Sequence, residues 1–146
     1  MKERVIALGF FDGVHLGHGA LLRRAAEEAA LRGCTPAVFT FDRPPKEVVT
    51  GVPCPLINSP EDRRDLVRRL YRIQDVLMVP FDREMMTTPW DDFIVRILVG
   101  RYHAVHLVAG HDHHFGHRNQ GTPELLAQKC AQLGLGCDII PKVEVA

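Results

Sequence analysis

Apolar residues recur along the chain in two rhythms. Short runs rich in β-branched and aromatic residues alternate with longer stretches whose apolar positions return every three or four residues. The short runs predict strands at Val5–Gly9, Ala37–Phe41, Val76–Val79, Ala104–Ala109 and Cys137–Ile140. The longer ones predict four helices. The first covers Gly17–Leu31, rich in Ala, Leu, Glu and Arg, with Gly33 as its stop signal. The second follows Ser59 as cap and Pro60 as first residue, and runs to Tyr71. The third starts at Thr88-Pro89 and ends near Val99 and Gly100, and the fourth starts at Thr122-Pro123 and stops near Gly134. Pro44 to Pro55 reads as a long loop.

Five strands separated by four helices predict a parallel sheet covered on both faces, because parallel neighbours need crossovers. The expected architecture is a doubly wound parallel α/β sheet of about five strands in one domain. In such sheets ligands sit beyond the carboxyl ends of the strands, where the strand order reverses. The segments after Gly9, after Phe41 and from Gly110 to Gly121 all leave carboxyl ends. They are therefore expected to meet on one edge.

Composition narrows the function classes. Eighteen basic residues balance eighteen acidic ones, which removes any global electrostatic case for nucleic acid or a membrane surface. Cys34, Cys54, Cys130 and Cys137 are scattered without a Cys-x-x-Cys pair, a pattern of reduced thiols rather than of a disulfide framework or zinc site. No stretch approaches the ~20 apolar residues of a membrane span, and the opening residues do not form a signal peptide. The expectation is a cytoplasmic protein.

The strongest chemical signal is the join of the first strand to the first helix, Gly9-Phe10-Phe11-Asp12-Gly13-Val14-His15-Leu16-Gly17-His18. Backbone N–H groups at a helix start are unpaired and the helix dipole is positive there, which favours phosphate. Glycines 9, 13 and 17 leave room for a ligand to approach. His15 and His18 add side-chain donors suited to stabilising the charge of an in-line displacement at phosphorus. The loop lacks the Gly-Lys-Ser/Thr ending of a P-loop and the G-x-G-x-x-G of a dinucleotide fold, so both are disfavoured. The residues alone do not name an acceptor: they leave open transfer of a nucleotidyl group to any phosphorylated acceptor, and a nucleotide-binding module without catalysis.

The same residues resemble the signature of prokaryotic FAD synthetase, the bifunctional riboflavin kinase/FMN adenylyltransferase, and within it the N-terminal adenylyltransferase domain. Thr40-Phe41-Asp42-Arg43-Pro44-Pro45 is similar to that family's flavin-contacting loop. Leu56-Ile57-Asn58-Ser59 with Glu61 and Arg63, and then Val79-Pro80-Phe81-Asp82, follow in the family order. Gly110-His111-Asp112-x-x-Phe115-Gly116 resembles its Gly-x-Asp/Asn-Phe-x-Phe-Gly segment.

The resemblance implies a Rossmann-like fold of nucleotidyltransferase type and transfer of AMP from MgATP to FMN, giving FAD and pyrophosphate. It further implies His15 and His18 as catalytic residues. Gly9, Phe10, Asp12, Gly13, His15, Gly17 and His18 would hold ATP, and Phe41, Pro45, Asp112 and Phe115 would lie near the flavin. Aromatic rings and prolines suit an isoalloxazine, which wants flat apolar walls with few polar groups. Mg²⁺ is expected on the ATP phosphates with few protein ligands. Three departures stand out. Arg43 replaces the loop's first proline, and His113 and His114 stand where the family has an aromatic residue and its successor. The family's Ser-Ser-Thr-x-Ile-Arg segment does not occur before Ala146 and no riboflavin kinase domain is present, so the expectation is either a fragment of a longer parent chain that carries both or a protein that has lost part of the site.

Other features read more blandly. His103, His106, His111, His113, His114 and His117 form a cluster in sequence, but no cysteine or paired carboxylate completes a ligand set, so no protein metal site is predicted. Arg63, Arg64, Arg68, Arg69 and Arg72 are expected on a solvated helix face. Trp90 and Phe93 are expected in the core.

Overall fold

The computed structural model describes residues 2–11, 16–53 and 59–141, with the backbone alone for 16–18. Strands β1 (Arg4–Leu8), β2 (Thr35–Phe41), β3 (Asp75–Val79), β4 (Ala104–Gly110) and β5 (Gly136–Ile140) form one sheet in the order β3-β2-β1-β4-β5. Every pair is parallel, as the alternating pattern predicts. The chain starts in the middle, winds outward to β3, then crosses back to β4 on the other side of β1. The strand order reverses between β1 and β4, which makes the carboxyl ends of those two strands the place for a ligand.

The helices are α1 (Leu16–Arg32), α2 (Pro45–Thr50), α3 (Pro60–Tyr71), α4 (Arg83–Thr87), α5 (Trp90–Asp92) and α6 (Pro123–Leu133). Two of the expected caps form as read. Ser59 accepts from the N–H of Asp62, and Thr122 accepts from that of Leu125. The period of two along the strands sorts the core into two layers. Val5, Ala7, Val38 and Val108 pack under α1 and α3 with Leu22, Ala25 and Val67. Ile6, Leu8, Phe39 and Leu107 face the opposite layer, with Phe93, Ile97 and Leu126.

Three expectations about elements are corrected. The stretch from Pro44 is not all loop, since Pro45–Thr50 forms α2, and Cys54 and Pro55 lie outside the described residues. The helix expected to start at Thr88-Pro89 does start there, at Trp90, but it is not a regular α-helix. Thr88 closes α4, its hydroxyl donating to the Glu84 carbonyl (2.7 Å), and α5 then begins without a side-chain cap. The helix after α5 passes through Gly100 as a π-helix, Phe93–Arg101, and the N–H of Tyr102 still reaches back five residues to the Ile97 carbonyl (3.2 Å).

An ionic network ties α1 to β4 and β5 of the sheet. Arg24 Nε donates to Asp138 Oδ2 (3.2 Å), and His106 Nε2 lies 2.8 Å from the same oxygen. Arg24 and Arg32 also pair with Glu28 (3.5 and 3.3 Å). Partial burial works against the Asp138 charge, but the bonds from Arg24 and His106 outweigh it and hold the carboxyl below its usual range. A depressed folded-state pKa adds stability above the unfolded value of 3.8, and that stability is lost as pH falls through the folded value. Asp138→Asn is therefore expected to cost about 1 kcal/mol at pH 7. Urea titrations should show the gap between variant and parent narrowing below pH 4. A gap independent of pH would refute the ionic origin.

Candidate functional site

The loop after β1 leaves the sheet through Gly9, whose N–H donates to the Phe39 carbonyl (3.3 Å). Phe11 turns back with φ 62°, a conformation that a bulky residue adopts only when its surroundings enforce it. Its ring is buried on the α1 side and lies against Gly9, where an added Cβ would come within 2.7 Å of Phe11 Cζ. Gly9 is thus bare partly to admit a ring of the protein itself, whereas the sequence suggested only ligand access. Asp12, Gly13 and His15 lie outside the described residues. Gly17 and His18 fall in the first turn of α1, which starts beyond the carboxyl end of β1.

A cleft of about 930 Å³ opens at this edge. The segments after β1, β2, β3 and β4 all contribute to it, so the three loops singled out in the sequence do converge. Of the expected site residues, Gly9, Phe10, Phe41, Pro45 and Phe115 line it. Asp112 does not. It is exposed on the turn leading into the wall, with Oδ1 beside Gly110. The interior is aromatic. Phe39 meets Phe41 and Phe93 edge-on at 5.4 and 5.3 Å, Phe41 meets Phe81 at 4.8 Å, and Phe93 sits 5.8 Å from Phe115. Phe93 is buried as expected, and its ring also borders the cleft. The rim is polar and basic, with Lys46, Thr50, His114, His117, Arg118 and Asn119.

The histidine cluster divides by position. His113 lines the cleft and stacks nearly parallel on Phe115 (5.8 Å, 15°). Burial pushes its imidazole down to about 4, the nearby Asp112 charge opposing it, so the ring is neutral at pH 7. It acts as a flat wall with a polar edge. His111 and His114 are exposed. His106 is buried on the face covered by α1 and belongs to the network with Asp138. Among the described residues, one group of three such side chains has ligand atoms within 4.8 Å of one another: Glu28, His106 and Asp138. Their carboxylates already hold Arg24 and Arg32, two cations that a metal would have to displace.

Two contributions went unread in the sequence. The helix α2, bearing Pro45, Lys46, Val49 and Thr50 on the cleft, was signalled by Pro45 at its first position and by Gly51 just past its end. Arg63 was assigned to a solvated face but is 1% exposed, its guanidinium inserted beneath the cleft edge. Its spacing from Val67 and Tyr71, four and eight residues on, places it on the packed side of α3.

Comparison with known proteins gives a consistent result. The sequence model of the family described as FAD synthetase matches residues 1–146. Proteins named bifunctional riboflavin kinase/FMN adenylyltransferase are similar to the chain. The one from Escherichia coli strain K12 is 35% identical over 137 residues, covering 92% of this chain and 42% of that protein. The one from Listeria monocytogenes is 33% identical over 128 residues, covering 86% and 40%. The one from Bacillus subtilis is 31% identical over 143 residues, covering 97% and 44%. The chain thus spans less than half the length of these curated relatives. A crystal structure named as a macrolide-efflux protein from Streptococcus pneumoniae aligns with a TM-score of 0.83 at 26% identity, over 99% of this chain and 46% of that one. Among the described residues no helix is long and apolar enough to cross a membrane.

Proposed function

Because the chain belongs to the FAD synthetase family, we propose that residues 1–146 form an FMN adenylyltransferase domain, moving AMP from MgATP to the phosphate of FMN with release of pyrophosphate. The observation that carries this reading is the shared cleft. The loop after β1, which leads into the start of α1, and the aromatic wall from β2 and β4 border one volume at the reversal of strand order.

The cleft, and the helix start that follows its β1 loop, suit the two substrates. Phe41, Phe115 and the neutral His113 supply flat surfaces for a fused heteroaromatic ring, and the volume is in the range of small-molecule sites. The start of α1 offers N–H donors and a positive dipole for phosphates, with His15 and His18 as side-chain donors. An oxygen of the FMN phosphate attacks the α-phosphorus of ATP and pyrophosphate departs in line, so no protein nucleophile is needed. The histidines stabilise charge on the phosphate oxygens as it builds. Mg²⁺ enters with ATP as part of the substrate. The compartment proposed is the cytoplasm, where ATP is available and thiols such as Cys34, Cys130 and Cys137 stay reduced.

The test is chromatographic detection of FAD after incubation with FMN, ATP and Mg²⁺, run on this chain and on the full-length gene product. FAD formation is expected. No product from either protein, together with no FMN-induced rise in melting temperature, would overturn the assignment.

A further inference from the structure

We propose that Arg63 is a positioning residue of the transfer reaction, locking the donor loop after β1 and the acceptor wall after β2 at one fixed separation. The inference rests on the reading just given for the cleft. Its structural basis is a single buried guanidinium that bonds to both segments. Nη1 donates to the Phe10 carbonyl (2.9 Å) and to Thr40 Oγ1 (3.2 Å), and Nη2 donates to the carbonyls of Phe41 (2.8 Å) and Asp42 (3.1 Å). The Thr40 hydroxyl donates in turn to the Phe10 carbonyl (2.8 Å), and the guanidinium carbon lies 4.1 Å from the centre of the Phe10 ring. The clamp reaches one strand further. Asp42 donates its N–H to the Val79 carbonyl (3.1 Å), and its Oδ1 accepts from the N–H of Phe81 (3.1 Å).

Burying a cation is costly unless hydrogen bonds replace its hydration, so a lone surface-type arginine would not be stable here. Four acceptors within 3.2 Å supply that replacement, and three of them are main-chain carbonyls at strand ends. A planar fork reaches all four acceptors at once, whereas lysine presents its donors from one nitrogen and would keep only part of the set. Phe10 and Phe41 both line the cleft, so the fork sets the spacing between its two sides.

The kinetic consequence follows from what each step needs. Binding of ATP or FMN alone uses one side of the cleft. In-line transfer needs both sides in register, and a displacement of about 1 Å can cost on the order of 10²-fold.

The experiment uses Arg63→Lys and Arg63→Met in the full-length gene product. Turnover is expected to fall about 30- to 100-fold in Arg63→Lys, while the dissociation constants of FMN alone and ATP alone change by less than about threefold. A loss of turnover matched by equal losses in both binary affinities, or no loss at all, would overturn the proposal. Hydrogen exchange separates this from failure of the functional reading. Residues 8–11 and 39–42 should gain exchange together in Arg63→Lys and more so in Arg63→Met, whether or not FAD is made. Increased exchange in one segment only, or in neither, would refute the coupling.

Discussion

Gly116→Ala will destabilise the protein by about 3–5 kcal/mol, through strain and collision acting together. Gly116 has φ 78° and ψ −179°, a region that residues with a Cβ almost never occupy. An added methyl would also stand 2.6 Å from Trp90 Cα and 2.8 Å from Trp90 N, backbone atoms with no rotamer by which to withdraw. The adjacent N–H of His117 donates to the Thr88 carbonyl (2.8 Å), pinning the loop against the same corner. For a chain of this size the loss corresponds to a fall in melting temperature on the order of 10 °C. Gly134→Ala is the control. That glycine also has positive φ (74°), but nothing lies within 4 Å of the added methyl, so only the conformational cost of about 1 kcal/mol remains. Equal melting temperatures for the two variants would show that Trp90 does not confine the loop. Because Phe115 and His113 precede this glycine in the cleft wall, FMN affinity should fall in Gly116→Ala and hold in Gly134→Ala.

Where local chemistry and global packing agree, the sequence is legible. Strand runs such as Val5-Ile6-Ala7-Leu8 are apolar on both faces because helices cover both, and that signal places β1 at the centre of the sheet. Ser59 and Thr122 precede prolines at helix starts, and both caps form. The convergence of three loops followed from the direction of parallel strands alone. Legibility fails where one residue serves against its type. Arg63 has the composition of a surface and the spacing of a core position, and spacing is the better guide because carbonyls at the strand ends accept its donors. The π-helix is opaque for another reason. Phe93, Ile94, Ile97 and Leu98 are buried at intervals that an α-helix also satisfies, so the apolar pattern carries no mark of the wider turn. The short α4 carried its cap in Asp82, which accepts from the N–H of Met85, yet five residues are too few for a periodic signal.

His18→Ala is expected to lower turnover by roughly 10²- to 10³-fold while FMN affinity changes little, the scale for losing one donor to a transition state. Three considerations support a large effect. The residue belongs to the first turn of α1, where the N–H groups lack intrahelical partners and the dipole already favours negative charge. The turn follows a loop whose departure from β1 is fixed by the buried Phe11 and by the bonds to the Phe10 carbonyl. A donor on such a frame is worth more than one on a mobile loop, because no reorganisation is needed as charge develops. The acceptor ring would bind among Phe41, His113 and Phe115, which line the cleft, whereas no described residue of α1 does, so ground-state flavin binding is not expected to sample this donor. His18→Gln retains an N–H and should recover part of the lost rate, whereas simple loss of bulk would leave it no better than alanine. His15→Ala combined with His18→Ala should lose less than the product of the single effects if both donors act on the same phosphates. A His18→Ala enzyme within about threefold of the parent rate would remove the histidine from the chemistry and leave the backbone at the helix start as the phosphate site.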